Sequence, residues 1–195
     1  MDKLQFVLGG STWINLVNTK YSSNKQTVDI LHNPSKTIQW MGENNLLRES
    51  DSLAIENEKD SLVPIIEELQ SLRDFSNVIL SDLKQHGELT LNTIEQLKIL
   101  VEQINVSLTI VSKHNKLILV SEGITARDHV LYNIVYSIIN TLDSISIDRI
   151  RKCEHQDCIL HFVDTSKSGK RRWCSMELCG NRKKAADFYA RKNKK

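Results

Sequence analysis

The stretch 173-WCSMELCGNRKK-184 holds two of the chain's four cysteines, a tryptophan before the first, and Asn-Arg-Lys-Lys straight after the second. Working outward, the other two cysteines stand at 153 and 158, so the full pattern is C-x4-C-x15-C-x4-C. Two close pairs joined by a spacer of this size are the arrangement of a structural zinc site, each pair presenting two thiolates from a tight turn. Disulfides are the competing reading. They do not persist in a reducing compartment, and the apolar stretch in MDKLQFVLGG is too short for a secretion signal. The expectation is one structural Zn2+ per chain, held by Cys153, Cys158, Cys174 and Cys179, in a cytoplasmic protein.

Charge divides the chain at the same place. Residues 1–148 carry 12 Lys/Arg against 19 Asp/Glu, a balance of −7, whereas residues 149–195 carry 14 against 5, a balance of +9. An acidic body of residues 1–148 followed by a basic module of residues 149–195 is the expected organisation. The chain has 195 residues, 40% of them apolar, which suffices for one substantial core plus a small appended unit. Two prolines and seven glycines argue against long low-complexity segments. No apolar run approaches the ~18 residues of a membrane span, so no membrane association is expected.

The body reads as mainly helical. Trp13, Leu16 and Val17 have the spacing of a short first helix. Ser35 is the expected N-cap of a helix running through Ile38 and Met41. Apolar positions at Ile65, Leu69, Leu72, Phe75, Ile79 and Leu83 predict a long amphipathic helix from Ser61 to about His86, with Pro64 in its first turn. A further helix is expected from a cap at Asn92 to about Ile104, and another over about Thr125 to Asp143. Between them 106-VSLTIV-111 and 116-KLILVS-121 read as a β-hairpin. In the basic module, residues 159–163 read as a strand, Thr165 to Lys170 as a turn, and Arg171-Arg172-Trp173 as the returning strand, followed by a helix capped by Ser175. The fold class is therefore mainly α with a β-hairpin, plus a treble-clef- or ribbon-like zinc module ending in a helix.

The motifs 153-CEHQDC-158 and 164-DTSKSGKRRWCSMELCGNRKKA-185 resemble the CGNR zinc-finger family, whose signature is Cys179-Gly180-Asn181-Arg182 here. Proteins of that family carry an N-terminal ABATE-type domain, and 9-GGSTWINLVNT-19 is similar to its opening element. The resemblance implies a bacterial, stress-linked transcription regulator. It also implies a zinc-ligand role for the four cysteines and a DNA-contact role for Asn181 and Arg182.

The residues themselves support a nucleic-acid partner. A helix fixed by zinc at its start and carrying Asn181, Arg182, Lys183, Lys184, Tyr189 and Arg191 suits a DNA groove, and Asn and Arg pair bidentately with adenine and guanine edges. Arg171 and Arg172 either contact DNA or brace the thiolates, and Asn181 either reads bases or braces its own turn. Trp13, Asn15 and Asn18 either line a pocket for a small-molecule effector or serve as scaffold. The body can also support a homodimer. Scattered histidines, the absence of an HExxH motif and a metal site with no open position point away from an enzyme. The expected function is DNA-binding transcriptional regulation. The alternative is a zinc-stabilised adaptor for protein or RNA.

Overall fold

The computed structural model describes residues 6–23, 26–57, 61–113 and 115–192. Seven α-helices and three antiparallel two-stranded sheets make up the described residues: α1 (Thr12–Val17), β1 (Lys20–Ser23), β2 (Gln26–Asp29), α2 (Pro34–Glu43), α3 (Glu49–Asn57), α4 (Leu62–His86), α5 (Leu91–Glu102), β3 (Val106–Lys113), β4 (Lys116–Gly123), α6 (Ala126–Ser144), β5 (Ile150–Lys152), β6 (His161–Val163) and α7 (Asn181–Lys192). Among the described residues no helix is long and apolar enough to cross a membrane.

α4 and α6 are the frame of the body. Their apolar stripes bury Ile65, Leu69, Leu72, Ile79 and Leu83 from α4 and Val130, Ile134 and Ile138 from α6. Those are the positions at which the three- and four-residue spacing placed them, because a 3.6-residue period puts them on one face. The short α1 lies against both long helices. Its Trp13, Ile14 and Leu16 are fully enclosed, together with Trp40 and Met41 of α2.

Local capping chemistry set several boundaries differently from the sequence reading. Asn33, not Ser35, caps α2: its side chain accepts from the Lys36 N–H at 3.0 Å, and Pro34 then fills the first helical position, where no N–H is needed. Thr90, not Asn92, caps α5, accepting from the Thr93 N–H while Asp82 of α4 accepts from both threonine hydroxyls. α6 starts with a reciprocal pair in which Thr125 and Asp128 each accept the other's backbone N–H. The β1–β2 hairpin and α3 carry too weak a periodicity to be anticipated. His114 lies outside the described residues, and Asn115, just before β4, adopts the left-handed region at φ 59°.

An ion pair ties the β2 end to α4. The two terminal guanidinium nitrogens of Arg73 each donate to the Asp29 carboxylate at 2.7 Å, and Nη1 also donates to Thr19 Oγ1 at 2.8 Å. Burial pushes the Asp29 carboxyl up, but its hydrogen bond to and charge attraction by Arg73 outweigh that and hold it below the usual range. A depressed native pKa means the pair stabilises the fold above the ordinary carboxylate value of ~3.9 and is lost as pH falls through the native pKa. Asp29→Asn, which leaves the buried Arg73 unpaired, is expected to cost about 3 kcal/mol at neutral pH. Urea unfolding at pH 7 and near pH 3 checks this, with the gap between variant and parent narrowing in acid.

Candidate metal centre

β5 and β6 pair in register Ile150↔Val163, Arg151↔Phe162 and Lys152↔His161, so residues 153–160 form the loop of a hairpin. Cys153 and Cys158 sit in that loop. This differs from the expected ribbon, in which residues 171–173 return beside residues 159–163. The sequence before the first cysteine, 150-IRK-152, supplies the partner strand, because only there does an apolar residue, Ile150, align with Val163 over the body's core. The segment 171–173 is instead held as a loop.

The second pair comes from the start of the final helix. Ser175 caps it, its hydroxyl accepting from the Leu178 N–H at 3.3 Å, and residues 176–180 make one wide π-type turn before α7. Cys174 precedes that turn and Cys179 lies within it. One pair from a hairpin loop and one from a helix start is the treble-clef arrangement.

The four Sγ atoms lie within 4.8 Å of one another, with Cys158–Cys174 at 3.8 Å and Cys174–Cys179 at 3.7 Å. Zn–S bonds of about 2.3 Å at tetrahedral angles put sulfurs about 3.8 Å apart. The donor set and spacing therefore fit one Zn2+ and are far too wide for a disulfide bond. The four cysteines form a single structural zinc site. Cys153, Cys174 and Cys179 are buried, and Phe162 is fully enclosed beside them.

Electrostatics shows why the site needs a cation. Hydrogen bonds from Cys158 and Cys174 pull the Cys153 thiol down, with a further contribution from the backbone N–H of Cys174 at 3.4 Å. The same sharing pushes Cys174 up, and burial pushes Cys179 up to about 12. Without a metal the cluster can hold one thiolate readily and resists the rest. A divalent cation reverses that order, since coordination deprotonates the thiols.

Arginines brace the backbone around the sulfurs rather than the sulfurs themselves. Arg171, expected at a DNA interface, donates through Nε to the Trp173 carbonyl at 2.8 Å and through Nη2 to the Cys174 carbonyl, with its guanidinium 4.5 Å from the Phe162 ring centre. Two of its donors are thus used inside the module, and the side chain is half-buried. Arg172 is exposed, but pairs with Glu154 at 2.6 Å and lies 5.0 Å over the Trp173 ring. Arg151 donates to the Asp148 and Arg171 carbonyls.

Two residues here have roles that their place in the quoted motifs did not reveal. Asp164 is fully buried and its carboxylate accepts the N–H groups of Ser166 and Arg171, both at 2.9 Å, tying the two halves of the module together. Hydrogen bonding with Ser166 is the main reason its carboxyl falls to about 2. The signal was 164-DTS-166, an aspartate that can accept the N–H two residues on. Gly180 packs so closely that a Cβ there would lie 2.4 Å from Met176 Sδ and 3.2 Å from the Trp173 ring. The glycine of the signature thus lets the helix start close over Trp173.

The module is docked on the body through Asn18 and the Gly9 turn. Asn18 mimics a strand: its Nδ2 donates to the His161 carbonyl at 2.8 Å and its Oδ1 accepts the His161 N–H at 2.9 Å. The Val163 N–H donates to the Gly9 carbonyl at 2.8 Å. Asn15 accepts from the Gly9 N–H and donates to Asn44, both at 2.7 Å. Trp13 is fully enclosed in the core. Trp13 thus packs in the core while both amides bond within the protein itself: Gly9 and Asn15 shape the turn into α1, and Asn18 fastens β6. His161 stays neutral, burial and then Lys152 and Lys84 lowering it to about 4.

α7 leaves the metal site with every residue from Asn181 to Lys192 exposed. Lys183 pairs with Asp187 at 2.8 Å, and Arg191 Nε donates to the Asp187 carbonyl at 3.2 Å. These lie on one side. Asn181, Arg182, Ala185 and Tyr189 lie on another, and Phe188 and Tyr189 meet edge to face at 5.6 Å, both more than half exposed. Lys184 is exposed, and Lys194 and Lys195 lie outside the described residues.

Residues 149–192 match the family model of the CGNR zinc finger. A search of curated proteins found no match to the chain.

Proposed function

We propose that the chain is a cytoplasmic, zinc-stabilised DNA-binding transcriptional regulator and not an enzyme. The observation that carries this reading is α7. It starts at the metal site and stands clear of the protein, presenting Asn181, Arg182 and Tyr189 on one side and Lys183, Lys184 and Arg191 on the other. Zinc fixes the angle at which this helix leaves the module, which lets a major groove be read in one register. The ABATE-type identity of the body and a stress-linked role belong to the same proposal. So does an effector, whose place passes from Trp13, Asn15 and Asn18 to a cavity of about 430 Å³ lined by Ile38, Ile55, Leu62 and Ile66 with the hydroxyl-bearing Ser35 at its side.

The exposed Phe188–Tyr189 pair favours a second reading, an adaptor that stacks single-stranded RNA or docks a protein. Binding assays on duplex DNA, single strands and a salt series separate the two. Duplex affinity should fall with salt at a log–log slope of about −0.9 per phosphate contacted. Arg182→Ala should cost about 1–3 kcal/mol on the preferred duplex only, and Arg182→Lys should also relax discrimination, because lysine lacks the planar fork. Unchanged specificity in both variants, or preference for single strands, rejects base reading by Arg182.

A further inference from the structure

The β3–β4 hairpin projects from the body with its apolar side uncovered. All eight residues of β3 are exposed, as are the first four of β4. Its base is anchored: the Gly123 carbonyl accepts from Arg48 Nη1 at 2.8 Å, and the end of β4 runs against α6. The register pairs Leu108↔Ser121, Ile110↔Leu119 and Ser112↔Leu117, and directly paired residues share a face. One face of the arm therefore carries Leu108, Ile110, Leu117 and Leu119, exposed by 66%, 65%, 78% and 66%. A two-stranded hairpin of this length with four aliphatic side chains in water is marginal by itself.

We infer that this face is a homodimer interface, packed against the same face of a second copy of the chain. Two features of the arm select that occupant. The cluster is self-complementary: Ile110↔Leu119 sits at its centre, with Leu108 and Leu117 diagonally disposed on the two strands. A two-fold axis through the central pair sets an identical cluster upon it. The area also suffices, since four such side chains expose on the order of 500 Å² per copy. Two copies then bury about 1,000 Å² before any backbone or flanking residue is counted, at the threshold for a specific interface. The inference does not depend on DNA binding, although a dimer would present two zinc modules to a two-fold-symmetric site.

Sedimentation velocity of the full zinc-loaded chain across the micromolar range tests it. The parent protein should be a dimer. Leu108→Lys with Leu119→Lys should raise the dissociation constant about 100-fold or more, giving monomer, with helical circular dichroism and zinc content unchanged. Thr109→Lys with Val111→Lys, on the opposite face, should remain dimeric. Should the first variant misfold, Leu117→Ser, at the most exposed of the four positions, takes its place. A monomeric parent overturns the inference, including one whose arm variants lose only nucleic-acid affinity. So does a dimer that survives Leu108→Lys with Leu119→Lys, and so does loss of the dimer in both double variants, which places the contact elsewhere on the arm.

Discussion

Chelation of the purified protein should release one Zn2+ per chain and unfold the C-terminal module while α1, α4 and α6 keep their protection. The module's own core is small, consisting of Phe162 and the cysteines with Leu160 and Trp173 packed around them. Metal binding worth about 10–16 kcal/mol is therefore folding energy for it. Cys174→Ser should have the same effect, because Cys174 contributes its sulfur and also its N–H to Cys153. Hydrogen exchange followed by mass spectrometry gives the pattern. Residues 171–192 should lose protection fully. β5 and β6 should lose less, since Ile150 and Val163 belong to the body's core and Asn18 holds His161 from outside the module. A metal-free protein that keeps residues 171–192 protected would refute the zinc-dependent fold.

Trp13→Ala should unfold the body rather than weaken a ligand. The indole is fully enclosed between α1 and its neighbours, so its removal combines lost apolar transfer with a cavity, at about 3–5 kcal/mol. That is a large share of the roughly 5–15 kcal/mol that holds a domain folded. Trp13→Phe should cost clearly less. It keeps most of the ring volume and deletes an indole N–H that has no hydrogen-bond partner among the described residues. Denaturant unfolding with and without candidate apolar ligands separates the roles. If Trp13→Ala keeps the parent's midpoint and loses only a ligand-induced shift, the buried-core assignment fails.

The zinc site was legible in the sequence because metal ligation is a matter of residue type and spacing. Four cysteines in two close pairs leave few alternatives, and the sulfurs gather as that pattern requires. The long helices were legible for a comparable reason. A stripe such as Ile65, Leu69, Leu72 and Ile79 states both the helix and its buried face, because backbone period and burial come from the same geometry. Helix starts were less so, since Asn33, Ser35, Thr90 and Asn92 are all competent caps and the choice lies in how the preceding chain arrives.

What only the tertiary structure decided concerns which groups remain free. Sequence marks Arg171 and Arg182 alike as cations beside a cysteine, yet one is spent on the Trp173 and Cys174 carbonyls and the other stands in solvent. Asn18 reads as a helix end and serves as a false strand for β6, 143 residues away. The β3–β4 alternation predicts a hairpin and implies a buried face, but the body offers that face no cover. Composition and period fix what a segment can form. Partnership depends on which surfaces meet after the chain has folded, and that is set by packing between elements distant in sequence.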